Sequence, residues 1–210
     1  MELVDILLPP RFEKSGVVKT REEAWQNRNW IGTFNLWITQ DKPEPAIVYQ
    51  KRSADSSWGP NLLDVTAGGH YRAGESAKDG LREVKEELGK TYEFKDLTYL
   101  GRKIHISPDE KKRMRHNVLD IFMVKDNSVL EKYILEKDEV EMICLCPINK
   151  LIKVHTIQGY AFKIQGLTNK KEVTEITVTM DSFPYNWDNY HLKIALLAKR
   201  FLAGEKHLIY

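Results

Sequence analysis

Short apolar runs punctuated by turn residues fill the first half of the chain. LVDILL (3–8) and GVVKT (16–20) predict two short strands or a hairpin across Pro9–Gly16. Thr20-x-x-Glu23 has the spacing of a capping box and predicts a short helix over REEAWQNR (21–28). TFNLWIT (33–39) and PAIVYQKRS (45–53) read as strands joined by the turn-forming DKPEP, and Asn61–Thr66 reads as another. Ala67–Lys90 opens on Gly68 and Gly69, which predict a tight turn, and then takes a helical pattern that stops at Gly89. Further on, LTYLGRKIHI (97–106) and VLDIFMVK (118–125) predict a strand pair around the polar, basic loop 107–117. Val140–Cys146 predicts a strand, Pro147–Val154 a short helix and EITVTM (175–180) a strand. Asn186–Ala203 predicts a helix with Leu192, Ala195, Leu196 and Phe201 inside, ending before Gly204.

Composition narrows the class. At 210 residues and 42% apolar, the chain can bury one sizeable core with an appendage. A net charge of +2, from 32 basic and 30 acidic residues, creates no bulk field that selects nucleic acid or membrane. No apolar run reaches the ~18 residues of a membrane span. The opening Leu3–Leu8 is too short for a signal peptide and carries Asp5. Strand alternation points Cys144 and Cys146 to one face as buried, reduced thiols, so the expected compartment is cytoplasmic. No linker is long or polar enough to separate a second domain.

Within 67–90, at about 100° per residue, Glu83, Glu86 and Glu87 share one helical face. Ala77, Leu81, Val84 and Leu88 share another. Like charges at i, i+3 and i+4 repel by a few tenths of a kcal/mol per pair. A hard divalent cation relieves that repulsion, since Mg²⁺ is held by few carboxylates together with waters and substrate phosphates. A solvated acidic face is the plainer alternative.

The flanking residues bear on that choice. Gly69, Glu75, Arg82, Glu83, Val84, Glu86, Glu87 and Gly89 match in type and order a segment that resembles the Nudix box, G-x5-E-x7-R-E-U-x-E-E-x-G-U with U aliphatic. The spacer from Glu75 to Arg82 is six residues rather than seven, and Lys90 stands where the last aliphatic residue would be. The first change trims the loop or first helical turn, and the second bears on local packing. Upstream, Arg21 with Glu23, Phe34–Ile38, Gln50–Ser53, and Leu63, Asp64, Gly69 and His70 resemble the branch akin to isopentenyl-diphosphate isomerase. The resemblance covers roughly residues 1–155.

It implies an α/β fold, a Nudix-type α/β/α sandwich with a mixed β-sheet. The domain would occupy 1–155, with 156–210 as a strand-and-helix extension packed on it. It implies hydrolysis of a diphosphate linkage, a nucleoside diphosphate joined to some moiety X or a related organic diphosphate, by water attacking phosphorus. Mg²⁺ or Mn²⁺ would sit on Glu83, Glu86 and Glu87 with Gly69. Arg82 would orient Glu83, and Glu75 would support the site from the loop and contact substrate. The partner is then a small-molecule diphosphate, with no nucleic acid and no membrane; oligomeric state, homodimer included, stays open.

Arg52, ending the QKRS strand, is a candidate phosphate clamp, because a guanidinium matches phosphate oxygens bidentately. His70 is a candidate metal or substrate contact, and Glu139 and Glu141 are candidate bases. Trp30, Phe34, Trp37, Tyr49 and Trp58 are candidates for stacking, with core packing the alternative for most. Two other functions compete. An isomerase needs a thiol just before the histidine, where this chain has Asp64-Val65-Thr66-Ala67-Gly68-Gly69-His70, and an upstream histidine, where it has Trp25. A binding module that hydrolyses nothing usually loses box glutamates, and all are present here.

Overall fold

A computed structural model of the chain describes residues 2–108, 113–184 and 187–210. β1 (Leu3–Leu8) and β2 (Glu13–Thr20) form the expected antiparallel hairpin. The chain enters α1 (Arg21–Gln26) through a reciprocal cap, in which Thr20 Oγ1 accepts from the Glu23 N–H and the Glu23 carboxylate accepts from the Thr20 N–H.

β3 (Trp30–Gln40) is the hub. One edge carries β8 (Met114–Lys125) in parallel, from Trp30 opposite His116 to Thr39 opposite Lys125. The other edge is shared by three strands. β1 meets it at Trp30, β6 (Ala67–His70) pairs with Thr33–Leu36, and β4 (Ala46–Arg52) pairs with Ile38–Gln40. Beyond β4 the sheet continues antiparallel through β9 (Val140–Pro147), β10 (Phe162–Thr168) and β11 (Val173–Val178). β7 (Thr98–Pro108) is added to β8, and β5 (Leu63–Asp64) to the end of β4. Among the described residues these strands make one mixed eleven-stranded sheet.

Alternation along β3 sorts side chains into two cores. Trp37 joins Ile47, Tyr49, Cys144 and Cys146 under α3 (Ile148–Thr156) and α4 (Tyr190–Leu202). Phe34, Leu36 and Ile38 join Val48 under α2 (Leu81–Leu88), through Val84 and Leu88. The result is the expected α/β/α sandwich. A smaller cluster of Val4, Ile6, Ala24 and Ile31 seats α1 on the hairpin. The two cysteines are free and buried on one face, Sγ to Sγ 3.8 Å. Residues after 155 are continuous with this framework, since β10 pairs with β9 and Ile194 and Ala195 of α4 pack in the Trp37 core.

Several local expectations give way. Gly68 and Gly69 lie inside β6, paired with Asn35 and Phe34, rather than in a tight turn. Regular pairing in the strand before them is confined to Leu63–Asp64. α2 begins only at Leu81, so Ala77 packs from the preceding turn. β10 has no counterpart in the sequence reading. Residues 109–112 of the basic loop and residue 186 of the last predicted helix lie outside the described residues. Within α4 the inward stripe is Tyr190, His191, Ile194, Ala195, Leu197 and Ala198, which leaves Leu196 exposed and Leu192 half-buried.

Candidate active site

α2 is held at both ends by backbone chemistry. Gly89 takes the left-handed conformation (φ 63°) and donates its N–H to Lys85 O, closing the helix. The carbonyls of Glu87 and Leu88, otherwise orphaned at the C-terminus, accept from Glu136 and Ile134 N–H. With Val84 and Leu88 anchored below, the opposite side of α2 walls a cavity of about 930 Å³.

Glu83 and Glu87 are buried on that wall, and Glu86 stands half-exposed at its rim. Glu87 accepts from Gly68 N–H at 3.3 Å and from Gln50 Nε2 at 3.4 Å. Arg82 binds three carboxylates at once. Its Nη2 lies 2.8 Å from Glu83, its Nη1 2.7 Å from Glu86, and its Nε 3.1 Å from Glu75. Glu75 also accepts from Arg72 N–H at 2.7 Å, so the shortened spacer still delivers it to Arg82. It is absorbed there and is not one of the residues around the cavity.

The expected convergence of three carboxylates is only partly present. Glu86 turns to Arg82 and to Arg72, 3.6 Å away, and among the described residues no three acidic, histidine or cysteine side chains gather as a metal-holding group. Arg82 and Arg72 relieve part of the repulsion along the acidic face, chiefly at Glu86.

Two observations nevertheless fit a hard cation. Burial raises the Glu83 carboxyl to about 7 against the pull of Arg82, with Glu86 and Glu139 adding to the rise. Burial, Glu83 and Glu139 hold Glu87 well above the ordinary range, against Gly68 and Arg52. Two buried acids with too little positive charge around them are the donor set a divalent cation satisfies. Gly69 makes room for Glu83, whose carboxyl a Cβ there would strike.

Other predicted residues separate cleanly. Arg52 reaches the cavity, with Nε donating to Trp58 O at 2.7 Å and Nη1 lying 3.7 Å from Asp64. His70 lines it too; its buried Nε2 has no partner, and burial with Arg21, Arg115 and Arg52 nearby lowers its pKa to about 3, so the ring is neutral. Of the two candidate bases, Glu139 lines the cavity, whereas Glu141 is paired with Lys51 at 2.9 Å away from it. Phe34, Trp37 and Tyr49 are core residues, and Trp30 packs on Phe12 and His116. Only Trp58 of the five lines the cavity, edge-on to His105. The sequence reading passed over Arg115 and Asn117 as site residues and used Trp25 only as a missing histidine. The i, i+2 spacing of Arg115 and Asn117 ahead of the apolar run was the available signal, and both line the cavity from one face of β8.

The NUDIX domain profile matches residues 31–164, well over half of the chain. The chain belongs to the Nudix family. An uncharacterized Nudix hydrolase of Clostridium acetobutylicum is 26% identical over 188 residues, covering 85% of this chain and 89% of that protein. Nudix hydrolase 3 of Arabidopsis thaliana is 28% identical over 142 residues, 64% of this chain, although this chain spans only 18% of the plant protein. Among solved structures, a Deinococcus radiodurans protein superposes with a TM-score of 0.53 at 19% identity, covering 72% of this chain and 86% of its own. A MutT protein from Methanosarcina mazei gives 0.52 at 16%, covering 85% and 96%. These two likenesses concern the fold. Membership of the Nudix family supports hydrolysis of diphosphates of small molecules. No helix among the described residues is long and apolar enough to cross a membrane.

Proposed function

We propose that this Nudix protein is a Mg²⁺- or Mn²⁺-dependent hydrolase of an organic diphosphate, of the branch akin to isopentenyl-diphosphate isomerase but without isomerase chemistry. The observation that carries the reading is the pair of buried carboxylates, Glu83 and Glu87, packed against the glycine backbone of β6, where burial outweighs the pull of Arg82 on Glu83 and of Arg52 on Glu87. Glu83 and Glu87 would hold the cation, and Glu86 would join them from the rim. A bound divalent ion neutralises diphosphate charge and acidifies water.

The chain's own residues supply the rest. Arg82 fixes Glu83 by its ion pair, so the carboxylate presents a set orientation before substrate arrives. Arg52, braced by Asp64 and the Trp58 carbonyl, offers its remaining N–H groups to a phosphate oxygen. Glu139 shares the cavity with both metal-side acids and takes the proton from the attacking water. Isomerisation lacks its thiol, because Cys144 and Cys146 belong to the Trp37 core and not to the cavity.

Turnover of a panel of diphosphates in ¹⁸O-labelled water tests this. Label is expected in one phosphorus-containing product, with activity lost to chelator and restored by Mg²⁺ or Mn²⁺. Glu83→Gln is expected to lose at least ~10²-fold in kcat. Saturable binding with no product on any substrate marks a binding module and overturns the reading.

A further inference from the structure

The part of the cavity lined from α1, β6 and β8 is a lobe of different character from the acidic wall of α2. Three buried polar atoms there have no hydrogen-bond partner: Trp25 Nε1, His70 Nε2 and Asn117 Oδ1. Asn117 is 8% exposed and belongs to the same face of β8 as Arg115, with His105 and Ser107 opposite them on β7. Unpaired buried polar atoms cost stability, and native proteins keep few of them. Three in one lobe of one cavity point to a ligand that completes them.

Their chemistry limits that ligand. The Trp25 indole N–H only donates, the Asn117 oxygen only accepts, and an imidazole nitrogen such as His70 Nε2 donates or accepts according to tautomer. A phosphate, which only accepts at neutral pH, would leave the Asn117 oxygen unmatched. A cationic group would face Arg21, Arg52 and Arg115, all lining the same cavity. An alkyl or isoprenoid chain would leave all three atoms bare. A nucleobase needs a free aromatic face, and the ring of Trp25 is covered by guanidinium groups, Arg115 at 4.3 Å and Arg21 at 5.2 Å from its centroid. His70 in turn meets the ring in a T-shaped contact at 5.7 Å. Hydroxyl groups both donate and accept, and suit all three positions.

We infer that the lobe formed by Trp25, His70 and Asn117 binds an uncharged, hydroxyl-bearing part of X, a sugar or polyol, beside the diphosphate. This rests on the hydrolase reading for the diphosphate, but its direct test is binding. Titration calorimetry with Ca²⁺ present would compare ADP-ribose and UDP-glucose with geranyl diphosphate. The sugar diphosphates are expected to bind ~10-fold tighter or more. Trp25→Phe and Asn117→Leu, checked for folding by circular dichroism, are each expected to weaken sugar-diphosphate binding by ~10-fold. That loss is expected to exceed the loss on geranyl diphosphate by about fivefold or more.

Equal affinity for the three ligands, no binding of either sugar diphosphate, or equal losses across ligands in both variants overturns the inference. Hydrolysis of diphosphates with no preference for sugars would leave the hydrolase reading standing while removing this one. Sugar-selective binding with no hydrolysis of any diphosphate would do the reverse.

Discussion

Lys90 Nζ sits 2.8 Å from Asp126 Oδ2, one residue beyond the glycine that closes α2, with each side chain 15% exposed. The ammonium also donates to Ser128 Oγ at 2.9 Å and lies 4.9 Å from the ring centroid of Tyr133. Tyr92 completes the group, its hydroxyl donating to Asp126 at 2.7 Å. The residue that stands where an aliphatic one would be is thus the centre of a polar cluster pinning the C-terminal end of the acidic helix.

Lys90→Met is therefore expected to destabilise the fold by about 1–3 kcal/mol, since it strips a partly buried carboxylate of its cation. A pH signature accompanies it. Burial alone would raise the Asp126 carboxyl, but hydrogen bonds from Lys90, Ser128 and Tyr92 win and hold it well below the usual range. A depressed folded-state pKa gives stability that is present above the unfolded value of about 3.9 and is lost as pH falls below it. Urea unfolding between pH 2.5 and 7 should show a steeper acid-side loss in the parent protein than in Lys90→Met.

Gly69→Ala and Gly68→Ala separate function from fold. The atoms nearest a Cβ at Gly69 are the end of the Glu83 side chain, so the protein is expected to fold while the carboxylate is displaced and kcat falls by ~10²-fold. A Cβ at Gly68 stands 2.6 Å from Phe34 O, a backbone atom of the central strand, so Gly68→Ala is expected to cost about 1–3 kcal/mol of stability. Thermal melts beside steady-state rates decide between the two patterns.

Without metal, Glu83 and Glu87 act against the fold. Their folded-state pKa values are raised, so their contribution is most favourable below the unfolded carboxyl value of about 4.3. For Glu83 it is lost as pH climbs through about 7, and for Glu87 it is lost as pH climbs through that group's own raised value. Glu87→Gln is expected to raise Tm in chelator at pH 8 by about 2–4 °C, the shift that ~1 kcal/mol gives at this size. The same change should weaken the Mg²⁺-dependent rise in Tm. A parent and variant with equal Mg²⁺ titrations would remove Glu87 from the metal site.

Glu139→Gln and Glu141→Gln divide the two acids flanking Val140. Loss of a proton acceptor is expected to lower kcat by ~10²-fold or more and to remove the acid limb of the pH–rate profile. Glu141→Gln breaks only an ion pair with Lys51 and is expected to stay within a few tenths of a kcal/mol in stability, with no change of profile. Identical profiles for Glu139→Gln and the parent would exclude Glu139 as the base.

The parts of the site read correctly from sequence were those set by near neighbours. Arg82 does pair with Glu83, its neighbour in the chain, and Thr20 with Glu23, three residues on, because so short a stretch of backbone fixes both partners. Glycines were harder. Gly68 and Gly69 read locally as a turn, but Gly68 lets β6 lie close against Phe34 of β3 and Gly69 lets the Glu83 carboxyl approach, which spacing alone does not reveal. Glu86 shares a helical face with its neighbours as expected, yet its carboxylate follows Arg72. The polar lobe was illegible for a different reason: Trp25, His70 and Asn117 come from α1, β6 and β8 and meet only through the sheet. β10 was missed because its alternating Lys163 and Gln165 face solvent beside a buried glycine, diluting the apolar signal.

β3 and β8 are joined across 85 residues of chain, as in the bond from Thr33 Oγ1 to Val118 O. A parallel pair of that separation closes late, after the entropy of a long loop has been overcome. A growing chain therefore completes its acidic helix while the cavity still lacks one wall, so a cation could meet carboxylates before any substrate can be held. Hydrolytic competence would then come last, once β8 has docked and Glu139, which follows it in the chain, has reached the cavity.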